Sequence, residues 1–431
     1  MRFSSESLAA LLAFGSLSYA GNILAEEHNG FLQDGSLTLN LKNYYYNHDG
    51  KNGGADGRDW SQAAQFNYTS GFSTGMVGLG VDAFLYSGLK LDKRFSGAGN
   101  VPNNDNTTWT QGGGTLKAKV SNTTLKYGTQ QTSAPVFAVA GSRITPQTAT
   151  GFSLLSKDIK DLTLDAGHFT SGNGPRGTTS RGELGAAYAG VSASKIDYLG
   201  GKYSPLPNVS LTLYGANLEN IWNQYYLSAQ YVHAIDTKQA LTFNFNGYRT
   251  MDSGSAQAGG IDTKALSLAV SYSYIGHKLM LAYQTVDGDT PFDYIGVGNE
   301  GSFGDSIYLM NAVQVSDFNG PGEQSLQVRY DYDFSTSGLP GLTFLARYLK
   351  GWGSDGRHMS SDSEYQYLNY GSDGKEQEID VELGYVVQSG PAKDLALRLR
   401  QAFYNANGDL NGVTPDTIQT RIHVSYPLNI F

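Results

Sequence analysis

The sequence predicts an all-β protein, a transmembrane antiparallel up-and-down β-barrel with constriction loops folded into its bore. Three observations lead there. Residues 395–403 read LALRLRQAF, with Leu395, Leu397, Leu399 and Phe403 on one parity and Arg398 and Arg400 on the other. Successive side chains of a strand point to opposite faces, so this segment has one apolar and one cationic flank. A soluble sandwich would bury the leucines and leave the arginines in water; a barrel turns the leucines to lipid and the arginines to the lumen. Arginine on the lipid side costs about 2–4 kcal/mol at mid-bilayer, so the parity is a constraint. Second, the same two-sided alternation recurs along the chain in short segments. Third, the N-terminus reads as an export signal, and no later apolar run approaches the roughly 20 residues of a spanning helix. A chain of that kind crosses a membrane only as a closed barrel.

Composition agrees. The chain has 431 residues, no cysteine, 54 glycines and 29 tyrosines; 16% of residues are charged and mean hydropathy is −0.33. Strands with one polar flank give such an average. The net charge of −9 argues against nucleic acid as a partner. No residue pattern calls for a metal or cofactor.

Residues 1–25 read as a signal peptide, with Arg2 ahead of the apolar stretch 8–17 and cleavage expected after Ala25, with Ala20 as the other small-residue position. Residues 26–431 then form a single barrel. In the first segment, 36–46, Leu37, Leu39, Leu41 and Tyr45 oppose Thr38, Asn40, Lys42 and Tyr44, and His48 continues the polar flank. A return segment, 60–68, puts Trp60, Ala64, Phe66 and Tyr68 together. Residues 114–128 read as a hairpin turning at Asn122-Thr123, with Lys117, Lys119 and Lys126 on its polar flank. The alternation resumes from Leu162 and runs through Leu213, Leu227, Phe243 and Leu268.

Two stretches break the rhythm. Residues 134–160 are too long for a turn and too apolar for a solvated loop, and they carry Arg143; they read as a loop folded inward, the other possibility being a strand plus an ordinary loop. Residues 291–324 hold Asp293, Tyr294, Asp305, Ser306 and Asp317 and read as a second inward loop. Downstream, residues 379–387 pair with 395–403 through a short turn, and simple register sets Glu382 across from Arg400. The last segment, 419–431, points Arg421, His423 and Ser425 inward. Phe431 falls on the inward parity unless Pro427 shifts the register.

Several blocks resemble the porin D (OprD-type) family of outer-membrane substrate-specific channels. They are LKNYYYNHDGK around Lys42, SAPVFAVAGSRITPQTATGF around Arg143, SRGEL from Ser180, TPFDYIG from Thr290, GDSIYLMNAVQVSDFNGPGE from Gly304, VVQSGPAKDLALRLRQA, and the closing YPLNIF. The resemblance spans essentially the whole mature chain. It implies about 18 strands, two inward loops forming an eyelet, and a row of basic residues guiding carboxylates, matched here by His48, Arg58, Arg143, Arg398, Arg400 and Arg421. His48 stands where a close relative has arginine. The opposing pocket is matched by Tyr188, Tyr294, Asp305, Ser306 and Asp317, with Ala312 in place of a serine.

The implied substrates are small carboxylates: basic amino acids, small peptides and carbapenem antibiotics. The implied location is the outer membrane, as a monomer or weak homotrimer in contact with lipid, lipopolysaccharide and the assembly machinery. The family has also been credited with a serine-protease triad. His168 and Ser306 match it, but Asn220 occupies the aspartate position and cannot stabilise an imidazolium as an anion would. His168 also shares the outward parity of Leu164, so the chain is not read as an enzyme. A structural barrel or adhesin with a plugged lumen is the third reading, and conductance tells it apart.

Overall fold

The computed structural model describes residues 30–94, 96–102, 105–179, 181–298 and 307–431. The signal peptide, Asp305 and Ser306 lie outside them. One antiparallel sheet of 18 strands closes on itself: Ser36–Gly50 pairs with Gly57–Thr69 on one side and with the last strand, Thr417–Asn429, on the other. Closure gives each of these 18 strands a neighbour on both sides, as a bilayer requires. Among the described residues no helix is long and apolar enough to cross a membrane.

The wall is two-sided as the parity requires. Leu397, Leu399 and Phe403 are 42%, 44% and 43% exposed on the outer face, whereas Ala402 and Tyr404, on the opposite parity, are buried. Tyr203, Tyr231 and Tyr274 stand exposed beside short turns at one end, as in the aromatic girdles of membrane interfaces. The buried apolar cluster lies inside the bore instead. There Phe137, Leu184, Ile295 and Leu309 of the loops pack on Tyr214, Trp222, Tyr226 and Tyr248 of the wall. Leu399→Arg should therefore lower the barrel's unfolding free energy by about 2–4 kcal/mol, measured by denaturant titration in bilayers. An unchanged midpoint would place Leu399 away from lipid.

The structure corrects several boundaries. The hairpin turns at Ser121-Asn122, because Ser121 takes a positive φ of 54° and Thr123 already pairs with Val120. The first irregular stretch is part loop and part wall: Thr148–Ser156 is a barrel strand, whose adjacent Leu154 and Leu155 blur the alternation that would reveal it, and the bulge beside Thr150 and Gly151 leaves Thr170 of the partner strand without an opposite residue. The second contains the short strand Ile295–Val297 and ends where the wall strand Gln324–Asp333 begins. Register runs through Pro427 without a shift, and Phe431 lies past the strand end, 65% exposed, with its ring 6.5 Å from that of Tyr68.

A strand that sequence reading passed over, Gly78–Lys90, has glycine at inward positions. A Cβ on Gly80 would meet Lys117 Cε at 2.5 Å, and one on Gly88 would meet the Trp109 ring at 2.4 Å. These glycines make room for the inward side chains of the neighbouring strand.

Candidate functional site

The basic residues gather where the barrel closes. Along Thr417–Asn429 the register pairs His48 with Gln419, Tyr46 with Arg421, Tyr44 with His423 and Lys42 with Ser425. The neighbouring strand, Ala396–Ala406, sets Arg400 level with Arg421 and Arg398 level with His423. Inward side chains alternate, so the levels are about 7 Å apart. His48 and Arg58 line one cavity of ≈ 330 Å³ at the loop end, with Asp49 and Asp56. Below them come Arg421 and Arg400, then Arg398.

Each cation has a holder. The Arg421 guanidinium lies 4.5 Å from the centre of the Tyr46 ring and donates to Gln419 Oε1 at 2.7 Å and to the Gln314 carbonyl at 2.9 Å. Arg143 approaches the same ring at 5.8 Å from the inward loop. Glu382 serves two arginines: Arg398 binds it in a bidentate pair at 2.5 and 2.7 Å, and Arg400 Nε lies 3.2 Å away. The backbone register places Glu382 opposite Arg400, as the hairpin predicted, so the bidentate partner is the diagonal one. Three charges thus leave a net positive centre.

The opposite wall of the constriction is built on one carboxylate oxygen. Tyr188 and Tyr294 both donate their hydroxyls to Asp317 Oδ2, at 2.9 and 2.8 Å, with their rings edge to face. Burial pushes the Tyr188 phenol well above its usual range, which keeps it a donor. Tyr188, Tyr294 and Asp317 are therefore brought together.

Three loop segments narrow the bore. Residues 131–147 cross it: the Pro135 carbonyl accepts from Tyr248, while the Ile144 carbonyl accepts from Gln65 on a distant part of the wall. A third segment, absent from the sequence reading as a loop, carries Leu184–Ala186, which pairs with Ile295–Val297. The 307–323 segment reaches from Ser267, which accepts from Met310 N, to Glu378, which accepts from Val315 N and Ser316 N at 2.9 Å each. Gln314, held by Arg421, is three residues from Asp317. A chain that short spans at most about 11 Å. Basic row and acidic pole therefore face each other across a narrow gap.

The sequence profile of the outer membrane porins of the OprD family matches residues 29–430. The chain is 48% identical to Porin D of Pseudomonas aeruginosa, covering 100% of this chain and 99% of that protein. This chain belongs to the OprD family of outer-membrane porins. The crystal structure of P. aeruginosa OprD superposes with a TM-score of 0.84 at 47% identity, over 94% of this chain and 98% of that one. The structure of P. aeruginosa OpdK with vanillate superposes at 0.82 with 31% identity, over 93% and 100%. This porin is accordingly an outer-membrane β-barrel and a channel rather than an enzyme.

The porin's protease-like residues have other duties. His168 sits on the outer parity, its Nδ1 2.6 Å from Asp197 of the adjacent strand. Asn220 occupies a turn at a positive φ of 61°, where its Oδ1 accepts from Ser255 N. Sequence reading also missed cations. Lys42 continues the basic row one level below Arg398, on the parity of Tyr44. Arg329 and Arg347 line a cavity of ≈ 570 Å³ with Asp331, Asp380, Glu382, Arg398 and Arg400. They lie on Gln324–Asp333 and Leu342–Ser354, strands the sequence reading did not take up, and each is bound to an aspartate, Arg347 to Asp380 at 2.6 Å and Arg329 to Asp331.

Proposed function

We propose that this porin passes small carboxylate-bearing solutes, foremost basic amino acids and short peptides, with carbapenems using the same path. The observation that carries the reading is the stack of guanidiniums at successive register levels, facing an aspartate gripped by two tyrosines. A carboxylate in a narrow bore loses water contacts; guanidiniums return them as charge-assisted hydrogen bonds. Their spacing allows transfer from level to level without one deep trap, as conduction requires. Asp317 would receive the ammonium or guanidinium of a zwitterionic substrate. Arg143, Arg58 and, when protonated, His48 would gather anions at the loop end, and Asp305 and Ser306, in the same sequence stretch as Asp317, would add to the acidic side. OpdK, of the same fold, is described with vanillate, itself a carboxylate.

Outer-membrane lipid and lipopolysaccharide would wet the leucine flank, and the assembly machinery would insert the chain as a monomer or weak homotrimer. The test is uptake into liposomes of arginine, glutamate, an aromatic carboxylate and an uncharged sugar of similar size. Faster entry of the carboxylates supports the reading. Entry ranked by size alone overturns it.

A further inference from the structure

Asp293 touches neither the basic row nor Asp317, yet the constriction is assembled around it. It is 2% exposed. Its Oδ1 accepts from Tyr188 N at 2.8 Å and Tyr294 N at 2.7 Å, and its Oδ2 accepts from Ala189 N and the Tyr365 hydroxyl, both at 3.0 Å. Four donors from three separate loop segments therefore converge on one carboxylate. Its own carbonyl accepts from Gln224 Nε2 of the wall at 3.0 Å, which ties the cluster to the barrel. Two of the four donors are the backbone amides of Tyr188 and Tyr294, whose hydroxyls hold Asp317. The Tyr188 carbonyl is bound in turn by the Tyr367 hydroxyl at 2.6 Å.

We propose that Asp293 is the positioning residue of the constriction, an anionic clamp that fixes Tyr188 and Tyr294 around Asp317 and that loosens when it takes up a proton. Four donors suit a carboxylate, which accepts at both oxygens and donates nothing. A protonated carboxyl brings a donor of its own, so one of the four must turn away. Burial pushes the Asp293 carboxyl up to about 6, against the pull of its donors, so the change falls within reach of mild acid.

The sign of the linkage follows. The folded chain holds this proton more readily than the unfolded one, so the barrel gains rather than loses stability from Asp293 as pH falls through 6. Only the local clamp relaxes. The titratable groups facing it are the phenols of Tyr365, Tyr367 and Tyr370, while those of Tyr188 and Tyr294 turn to Asp317; burial holds the Tyr188, Tyr365 and Tyr370 phenols well above their usual range. Asp317 lies beyond the two tyrosines, and Glu323 and Glu376 lie beyond Tyr370.

This inference deepens the proposed function, and its test uses KCl alone, so the two can fail separately. Single channels in planar bilayers are recorded from pH 7.5 to 5, for the wild type, Asp293→Asn and Tyr365→Phe. The wild type should show open-channel noise rising as pH falls through about 6. Asp293→Asn should be noisy at every pH with no such transition. Tyr365→Phe removes one donor of four and should be noisier than wild type at pH 7.5 while keeping a transition. If Asp293→Asn fails to assemble, the wild-type profile and Tyr365→Phe decide. A wild-type current whose noise does not change with pH overturns the proposal, as does an Asp293→Asn channel that keeps the wild-type profile. Failure of the carboxylate reading would appear instead in the wild type's uptake panel, with the KCl records unaffected.

Discussion

Removing both guanidiniums of the strand Ala396–Ala406, as Arg398→Ala with Arg400→Ala, is expected to cut arginine uptake by about tenfold or more, since a hydrogen bond to a charged group contributes about 1.5–3 kcal/mol and 1.4 kcal/mol is tenfold. Uptake of an uncharged sugar should be little changed. The effect has two parts. The variant loses two donors at adjacent levels, and it strands Glu382, whose side chain is 18% exposed and whose partners are these two arginines. A centre of net charge +1 becomes one of −1 and repels incoming carboxylates. Adding Glu382→Gln separates the parts: it should recover the share caused by repulsion and leave the share caused by lost donors. Equal losses for arginine and sugar would mean that the arginines only hold the wall together.

Glu378→Ala should open the constriction. The carboxylate is fully buried and accepts from Val315 N and Ser316 N, the two residues immediately before Asp317. Its removal leaves two backbone donors without acceptors, at a cost of about 1–3 kcal/mol each. The cheapest escape is for the segment to swing into the bore's water, carrying Asp317 from its tyrosines. Single-channel conductance should rise, and the preference for arginine over sugar should fall together with it. Glu378→Gln keeps a carbonyl acceptor and should lie between. Wild-type conductance in Glu378→Ala would show that Arg421 and the Gln284 bonds to Asp317 and Phe318 suffice to hold the loop.

The wall was legible because its period is two and lipid penalises a charge on the wrong flank. Leu397, Leu399, Arg398 and Arg400 lie where parity put them, and Glu382 faces Arg400 because a hairpin turn sets register. Legibility failed where something interrupts the period. Adjacent Leu154 and Leu155 hid Thr148–Ser156, and the inward glycines of Gly78–Lys90 thinned its polar flank to Asp82 and Lys90. Pairing finer than register was also out of reach: nothing in the sequence tells that Arg398 takes the bidentate bond.

The site divides in the same way. The basic row lies on regular strands and could be read residue by residue, including Lys42, whose parity with Tyr44 was in view but whose place in the row was not drawn. The acidic pole is made by loops, through non-local backbone donors. Asp293 was noted only as an acid within a loop; its four donors, which lie up to about a hundred residues away along the chain, carry no local signature.

The most direct test compares arginine with agmatine, its decarboxylated analogue, entering liposomes that carry the unmodified channel. Both bear the guanidinium that would meet Asp317, and only arginine has the carboxylate that the cationic stack would engage. Arginine entering distinctly faster is the expected result. Equal rates, or faster agmatine, would contradict a channel organised around carboxylate recognition.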